Sequence, residues 1–488
     1  MIESLLLALL PLLPTSEGPE AKLELRPVEL PLRSGGTATV FRGDLTVPIV
    51  RDRPDSKPIT VDVWHFPALE GANPNTPPIF RLYGGPGWPG MEPHEVDYEG
   101  ELVPLLRMAD LVIVGQRGIG TSKPNTVCPP RAAASAEVET SREQELVDAC
   151  RECREHWESQ GYDLTGLNVI EAAADVDDVR RLLGFEKVTL WGGSFGSHWG
   201  MAVMRYHPDS VARALLHGVE GPDHTYDMPS GVLASLERMA AEAELSPQLA
   251  SHVPEEGLIE AFRRLIEEVE EHPIELEVAH PTTGEPTLVT LEADDFRAAA
   301  LGITSRASSR QGAVNWAADI LGLLAGNFEP AARAKLEEGD GGSLGTASFF
   351  MLDCGSGITA ERLAVLQKDP AAKVVGDLGW WYQTACSAWG SDLGDGFRRG
   401  FATEIPTVIV HGTWDVNTPF DNALELLPAF DDAHFVVVEG GSHGALSEAM
   451  RESPPLREAV NQFVLTGDRA AFPDVVELPP LNWAPPRL

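Results

Sequence analysis

The sequence predicts an α/β fold in which a mostly parallel, doubly wound sheet carries a large, mainly helical cap insertion. Short apolar segments rich in β-branched residues alternate with amphipathic helical segments on both sides of the insertion, and this alternation is typical of parallel sheets covered by helices. Between about residues 223 and 400 the alternation stops and helical patterns dominate. Glycine-rich or polar clusters follow the predicted strands, so we expect them to meet at one edge of the sheet.

The elements follow one another in a simple order. Residues 21–66 have the pattern of antiparallel strands around the turn-rich segment 52–58. The later predicted strands are 79–83, 111–114, 187–191, 214–217, 406–410 and 434–438. The predicted helical stretches are 128–162, 168–183, 231–243, 256–271, 313–324, 361–367 and 420–427. A hairpin is predicted at 274–291, and the proline-rich tail after Phe472 is expected to lie extended over the surface.

The chain therefore divides into four parts. Residues 1–20 are a signal peptide or another apolar N-terminal segment, 21–222 the first part of the core, 223–400 the cap, and 401–488 the second part of the core with the tail. The N-terminal segment has the apolar run of a signal peptide but no Lys or Arg, so it fits either an imperfect export signal or a short apolar helix. It is too short to span a bilayer, and we expect no stable membrane insertion.

The net charge of the chain excludes some classes of binding partner. Its 488 residues include 74 acidic and 37 basic side chains, for a formal net charge of -37. Such a surface repels phosphate backbones and anionic lipids, so we expect no nucleic-acid partner. It favours the approach of cationic molecules, including peptides with a free amine.

Five cysteines indicate a disulfide-bonded protein. Cys150 and Cys153 form a C-x-x-C pair, but a zinc site would need a second ligand pair at compatible spacing, and only Cys128 lies nearby. We predict one bridge between Cys354 and Cys386, a second between Cys128 and one member of the pair, and one leftover thiol. Five unbridged thiols in a cytosolic protein remain the alternative. The predicted location is secreted or periplasmic rather than cytoplasmic.

The segment around Ser194 has the pattern of a nucleophile elbow. Residues 192–196 read Gly-Gly-Ser-Phe-Gly between a predicted strand and an apolar helix. Gly192 and Gly196 would leave room for a strained turn. The helix that follows would place N–H groups and a positive dipole end beside Ser194, where negative charge develops during acyl transfer. Ser194 is therefore the predicted nucleophile.

An acid and a histidine follow the next predicted strands of the core. Asp415 comes just after strand 406–410, and His443 comes just after strand 434–438. The chain order Ser, Asp, His is that of the α/β-hydrolase triad. His443 would act as the base, and Asp415 would orient it and stabilise the imidazolium. Alternatively, Asp415 caps the next helix and His443 is an ordinary loop residue.

The oxyanion hole of such a triad needs two backbone donors. The N–H of Phe195, next to the nucleophile, is the first candidate. The glycine-rich loop 84–87 would supply the second, and we assign it to Gly85. Alternatively, this loop is only a tight turn.

Four motifs carry a resemblance to a known family. They are Gly-Gly-Pro-Gly at 84–87, Gly-Gln-Arg-Gly-Ile-Gly-Thr-Ser at 115–122, Trp-Gly-Gly-Ser-Phe-Gly-Ser at 191–197 and Tyr-His-Pro-Asp-Ser-Val at 206–211. Together they resemble the proline iminopeptidase family of α/β-hydrolases. The insertion with Cys354 and Cys386 is more similar to the secreted tripeptidyl aminopeptidase branch. Tyr83 and Gly115 depart from the family pattern, which usually has His and Asp there.

The resemblance implies a serine aminopeptidase that acts on peptides with a free N-terminus and needs no metal or organic cofactor. A buried amine requires a carboxylate partner, because an unpaired buried charge is costly. Glu220, which follows the strand after the elbow, and Asp223 are the candidates, although each could be an ordinary solvated acid. A carboxylesterase acting on small acyl esters is the alternative, since the same triad serves both reactions. A catalytically silent binding protein is the rival from another class.

Overall fold

The computed structural model describes residues 20–53, 55–130, 141–301, 309–339 and 344–487. The predicted N-terminal segment lies outside these residues, except for its last residue. The strands are β1 Lys22–Pro31, β2 Thr37–Pro48, β3 Pro58–Phe66, β4 Ile79–Leu82, β5 Leu111–Val114, β6 Val188–Ser194, β7 Val211–Val219, β8 Ile274–Ala279, β9 Pro286–Leu291, β10 Thr407–Gly412, β11 Ala433–Glu439 and β12 Val475–Glu477.

The α-helices fall into three groups. The first part of the core contains α1 Val103–Leu106, α2 Arg142–Ser159, α3 Val169–Leu182 and α4 Phe195–Tyr206. The insertion contains α5 Pro229–Glu244, α6 Leu258–Glu271, α7 Ala293–Leu301, α8 Arg310–Ala313, α9 Trp316–Leu324, α10 Glu329–Gly339, α11 Ala347–Ser356, α12 Ala360–Leu366, α13 Ala372–Val375, α14 Trp380–Trp389 and α15 Asp395–Arg398. The second part of the core contains α16 Phe420–Leu426, α17 Ala445–Glu452 and α18 Pro454–Thr466.

Ten of the strands form one sheet in the order β1-β2-β3-β5-β4-β6-β7-β10-β11-β12. The strands from β5 to β12 in this order pair in parallel, whereas β1, β2, β3 and β5 pair antiparallel. The mostly parallel sheet that the sequence predicts is therefore confirmed. Because parallel strands end at the same edge, the loops after β4, β5, β6, β7, β10 and β11 share that edge.

Both faces of the sheet are buried under helices. On one face, Leu190 and Leu216 belong to an apolar cluster with residues of α3 and α4. On the other face, Leu215 and Val408 cluster with residues of α17 and α18. The central strands are accordingly rich in apolar residues, and every residue of β5 is buried.

The insertion between β7 and β10 builds an apolar core of its own. Leu236 and Phe262 lie in this core with Phe296 and Trp316. The only strands in the described part of the insertion are β8 and β9, which form the predicted hairpin. The predicted cap limits at 223 and 400 fall in the connections from β7 to α5 and from α15 to β10.

The structure contains both predicted disulfides, and it shows which member of the C-x-x-C pair is bonded to Cys128. Cys354 is bonded to Cys386, and Cys128 is bonded to Cys153. Cys150 is the free, buried thiol, and burial raises its pKa to about 11. The first bridge joins α11 to α14 within the cap, so these two helices are held side by side.

The structure differs from the sequence prediction in several places: α7, α10, α11, α14, α17 and α18 are not among the predicted helical stretches, and two other differences concern residues 128–130 and the C-terminal tail. Residues 128–130 are not helical, and the helix predicted from 128 begins only at Arg142; residues 131–140 lie outside the described part. The C-terminal tail, expected to lie extended over the surface, is partly built into the fold. Its β12 extends the sheet beside β11, and Trp483 is buried in the apolar core of the insertion.

A buried ion-pair network holds the loop after β5 against α3. Arg117 is 1% exposed and donates to both carboxylate oxygens of Asp175, at 2.5 and 2.8 Å. Arg117 also donates to the backbone carbonyls of Ile49 and Gly166, while Arg51 donates to the same Asp175. Burial alone would raise the pKa of Asp175, but Arg117 and Arg51 lower it below its ordinary value.

Candidate active site

Ser194 stands at a strained turn between β6 and α4. Its backbone has φ 55° and ψ -135°. Within the described part of the chain, Ser194 alone among the non-glycine residues has a positive φ. The flanking glycines are required by space. A Cβ on Gly192 would lie 2.3 Å from the carbonyl oxygen of Gly196, and a Cβ on Gly196 would lie 2.1 Å from that of Leu82. The local sequence therefore permits the turn that presents Ser194.

Asp415 and His443 form a hydrogen-bonded pair. His443 Nδ1 lies 3.0 Å from Asp415 Oδ1 and 2.9 Å from Oδ2. The Asp415 side chain is fully buried, whereas that of His443 is 22% exposed. Burial alone would lower the pKa of His443, but the Asp415 carboxylate raises it. Burial alone would raise the pKa of Asp415, but the interaction with His443 lowers it to about 2.

Three further donors orient the Asp415 carboxylate. Its Oδ1 accepts from the backbone N–H groups of Asn417 and Thr418, each at 3.0 Å. Its Oδ2 accepts from the hydroxyl of Thr418 at 2.8 Å. Because every one of these bonds favours the ionised form, Asp415 is held as a carboxylate facing the histidine.

The sheet brings this pair to the same edge as Ser194. Ser194 is paired with Val219 across β6 and β7. A Cβ on the preceding Gly218 would lie 3.1 Å from both Nδ1 and Cε1 of His443, and 3.3 Å from Asp415 Oδ2. The Asp415–His443 pair therefore packs against the end of β7, directly beside the strand that ends at Ser194.

The glycine-rich loop after β4 lies against Ser194. A Cβ on Gly84 would be 2.8 Å from Ser194 Cβ and 3.3 Å from Ser194 Oγ. Gly85 follows with a φ of 114°, a conformation that favours glycine. The structure thus places Gly85 and Phe195, the two predicted oxyanion donors, on segments that flank the Ser194 side chain.

Glu220 and Asp223 occupy different surroundings. Glu220 is buried, and Ser197 connects it to the elbow: the Ser197 hydroxyl donates to the Ser194 carbonyl at 2.7 Å and accepts from the Glu220 N–H at 2.9 Å. Asp223 accepts from both the N–H and the hydroxyl of Thr359, at 2.6 and 2.7 Å. Its carboxylate therefore joins the core to the N-terminus of α12 in the cap.

Two further acids act electrostatically on Glu220, and no sequence motif marks either of them. Asp227 precedes α5, and Asp353 lies on α11; we call Glu220, Asp227 and Asp353 the acidic cluster. Burial raises the pKa of Glu220 well above its ordinary value, and the charges of Asp353 and Asp227 raise it further. Burial raises the pKa of Asp353 to about 8, although a hydrogen bond from the Tyr382 hydroxyl at 3.1 Å lowers it.

The acidic cluster connects the cap to the triad. Burial raises the pKa of Asp227 well above its ordinary value, and the negative charges of Asp415 and Asp353 raise it further. Arg362 lowers this pKa, but by less than burial raises it. Tyr382 of α14 stacks on Tyr226 with 5.0 Å between ring centroids, so two aromatic rings lie beside the acidic cluster. The core therefore contributes Glu220, which directly follows β7, the cap contributes Asp353 and Tyr382, and Asp227 lies on the connection between β7 and α5.

Comparison with known families agrees with this geometry. A family model described as "alpha/beta hydrolase fold" matches residues 77–265, and one described as "TAP-like protein" matches residues 372–476. The first match includes Ser194, and the second includes Asp415 and His443. The chain is a serine hydrolase with the α/β-hydrolase fold.

Some of the curated relatives of the hydrolase are peptidases by name. It is 27% identical over 194 residues to serine protease Hip1 of Mycobacterium tuberculosis, covering 37% of this chain and 36% of the relative. It is 29% identical over 150 residues to proline iminopeptidase of Neisseria meningitidis, covering 31% and 35%. The matches therefore span about a third of the length of these relatives. Among solved structures, serine hydrolase CCSP0084 of Cycloclasticus zankles aligns with 87% of this chain and 99% of its own, at a TM-score of 0.37 and 14% identity.

The described part of the hydrolase offers no candidate metal centre. Within it, no group of three His, Cys, Asp or Glu side chains is arranged to hold a metal ion. The described helices also include none that is long and apolar enough to cross a membrane.

Proposed function

We propose that the hydrolase is a serine aminopeptidase that releases N-terminal residues from peptides through an acyl-enzyme. Ser194 Oγ attacks the scissile carbonyl while His443 Nε2 accepts its proton and then donates it to the leaving amine. The shortened peptide departs, and the N-terminal fragment remains bonded to Ser194. Water, activated by His443, then cleaves this ester, and the proton returns to Ser194.

The remaining groups of the site stabilise charge during these steps. Asp415 holds the His443 tautomer and stabilises the imidazolium, as its two hydrogen bonds to Nδ1 support. The N–H groups of Gly85 and Phe195 stabilise the negative oxygen of the tetrahedral intermediate. This machinery is the same for amide and ester substrates, so it does not by itself favour a peptidase.

The observation that favours an aminopeptidase is the acidic cluster beside the elbow. The cluster combines three carboxyl groups in surroundings that raise the pKa of each. A substrate ammonium group placed among them would offset this repulsion and would bring their pKa values down. Glu220 is the proposed direct partner of the amine, because it is buried and directly follows Val219, which pairs with Ser194 across β6 and β7.

Two further observations support a peptide substrate. Two of the relatives that match part of the chain are named as a serine protease and a proline iminopeptidase. The net charge of -37 also favours a cationic substrate terminus over an anionic ligand. A carboxylesterase acting on small neutral esters needs no carboxylate partner for a substrate amine.

Three chromogenic substrates test the proposal: a free-amine aminoacyl or tripeptidyl anilide, its N-acetylated twin, and a short-chain acyl ester. We expect turnover of the free-amine anilide and none of its acetylated twin, with loss of activity in Ser194→Ala. Glu220→Gln should raise KM for the anilide and leave KM for the ester unchanged. Glu268→Gln, which removes an exposed charge from α6 of the cap, is the matched control.

Two outcomes would overturn this assignment. Equal rates on the free and acetylated anilides would show that the amine is not recognised. Ester hydrolysis without any anilide hydrolysis would identify a carboxylesterase.

A further inference from the structure

The side-chain amide of Gln116 spans the loop that carries Gly85. Its Nε2 donates to the backbone carbonyls of Tyr83 at 3.1 Å and Gly84 at 2.9 Å. Its Oε1 accepts from the N–H of Gly87 at 2.7 Å. Gln116 therefore binds the main chain on both sides of Gly85, and it is 3% exposed.

The orientation of this amide is fixed by its partners. Rotating it by 180° would place its oxygen against two carbonyl oxygens and its NH₂ group against an N–H. Both hydrogens of the Nε2 group and one acceptor site of Oε1 are used by the loop. The amide thus holds loop 84–87 through three hydrogen bonds rather than one.

The backbone beneath Gln116 is anchored on both sides. The preceding Gly115 donates its N–H to the Asp62 carbonyl at 2.8 Å, and a Cβ there would approach that oxygen to 3.0 Å. The following Arg117 is held in the buried network with Asp175. Position 115 is closely packed, and residues 115 and 117 both have buried partners, so the backbone that carries Gln116 is restrained on both sides.

We propose that Gln116 is a positioning residue that holds the Gly85 N–H at the oxyanion site. The inference rests on the proposed function only in that Gly85 is taken as an oxyanion donor. Gln116 does not touch the reacting atoms. It acts by fixing loop 84–87 against Ser194, where a shift of the loop would move the donor away from the developing charge. The effect is therefore expected on both amide and ester substrates, whichever the hydrolase prefers.

Two variants separate this role from a general contribution to folding. Gln116→Met is close in size and removes all three hydrogen bonds, whereas Gln116→Glu retains only the acceptor for Gly87. Thr126→Val is the matched control, since Thr126 is also buried, lies in the same connection after β5 and hydrogen-bonds Gly118 and Ser348 without touching loop 84–87.

Kinetics on p-nitrophenyl acetate and on a free-amine aminoacyl p-nitroanilide supply the readout. We expect kcat to fall by about 10–100-fold in both Gln116 variants, less than the full loss of an oxyanion donor, with KM nearly unchanged. The inhibition constant of phenylboronic acid, which mimics the tetrahedral intermediate, should rise in parallel. Thr126→Val should lower Tm and leave kcat unchanged.

The rate at which a fluorophosphonate labels Ser194 gives the same comparison without any substrate, because the phosphoryl oxygen occupies the oxyanion site. This rate should fall in Gln116→Met and Gln116→Glu but not in Thr126→Val. Unchanged kcat and unchanged labelling in a folded Gln116→Met would overturn the inference, as would a change in KM alone. A failure of amine selectivity would leave it intact, so the two proposals fail separately.

Discussion

The Asp415 carboxylate meets His443 Nδ1 through both of its oxygens, at 3.0 and 2.9 Å. This contact occurs where the backbone and hydroxyl of Thr418 also donate to the carboxylate. The acid is thus held as a carboxylate by several hydrogen bonds, so in the proposed mechanism His443 would enter the reaction with its tautomer already selected.

Replacing Asp415 by Asn should lower kcat/KM by about 10⁴-fold, because the amide favours the wrong imidazole tautomer. Asp415 raises the pKa of His443, and catalysis requires the neutral imidazole. The acid limb of the pH–rate profile should therefore lie above the ordinary histidine pKa in the native protein and move to lower pH in Asp415→Asn. Asp421→Asn, at a half-exposed acid on α16, should change neither quantity. An acid limb that does not move would contradict the assignment of Asp415.

Gly84→Ala should disable the site without unfolding the protein. The new methyl group would lie 2.8 Å from Ser194 Cβ, so loop 84–87 must move away from the nucleophile. We expect labelling of Ser194 by a fluorophosphonate to slow by about 100-fold or more, similar to the loss of an oxyanion donor. Gly396→Ala, where the added Cβ meets nothing within 4 Å, is the control. Normal labelling in a folded Gly84→Ala would show that the loop is not part of the site.

Asp353 should make the protein less stable as the pH rises. Its pKa is about 8 in the folded state and about 3.9 in an unfolded chain. Between these values the folded state binds more protons, so the free energy of unfolding should fall with a slope of up to about 1.4 kcal/mol per pH unit. Urea unfolding from pH 4.5 to 9 should show a shallower slope for Asp353→Asn than for the native protein. Asp209→Asn, at an exposed acid, should leave the slope unchanged; an equal slope in Asp353→Asn would refute the raised pKa.

Arg117→Met should destabilise the protein by about 3–5 kcal/mol, because it leaves the buried Asp175 without its main partner. Arg181→Met should cost less than about 1 kcal/mol, since its side chain is 55% exposed and its ion pairs with Asp177 and Asp178 are screened by water. Urea unfolding of both variants measures the difference. A loss of less than about 1 kcal/mol in Arg117→Met would show that Arg51 alone stabilises Asp175.

The sheet and the triad segments could be predicted because their signals are local. The elbow needs a serine between glycines at the end of a strand, and Asp415 and His443 each follow a strand whose apolar run is visible in the sequence. Parallel strands end at one edge, so the topology alone brings these segments together. The disulfide partner of Cys128 could not be chosen, because Cys150 and Cys153 lie on the same helix only one turn apart.

The acidic cluster and the hydrogen bonds of Gln116 could not be predicted for the same physical reason. Asp353 and Glu220 are 133 residues apart, and the sequence pattern predicts no helix at 347–356, where the structure has α11. Nothing in the sequence around Gln116 distinguishes a side chain that binds a neighbouring loop from one in solvent. Only the packing of the cap on the core and of β5 beside β4 determines these contacts.

The acidic cluster is divided between the core and the cap. Because Glu220 belongs to the core and Asp353 to the cap, a ligand that bridged both carboxyl groups would bind only when the cap is docked on the core. Its binding free energy is then added to the docking free energy of the cap, by RT ln(1 + [L]/Kd). An amine product or a simple alkylammonium ion bound in this way would hold the cap on the core. The unfolding temperature of the cap would then rise with the fraction of protein that has the ligand bound.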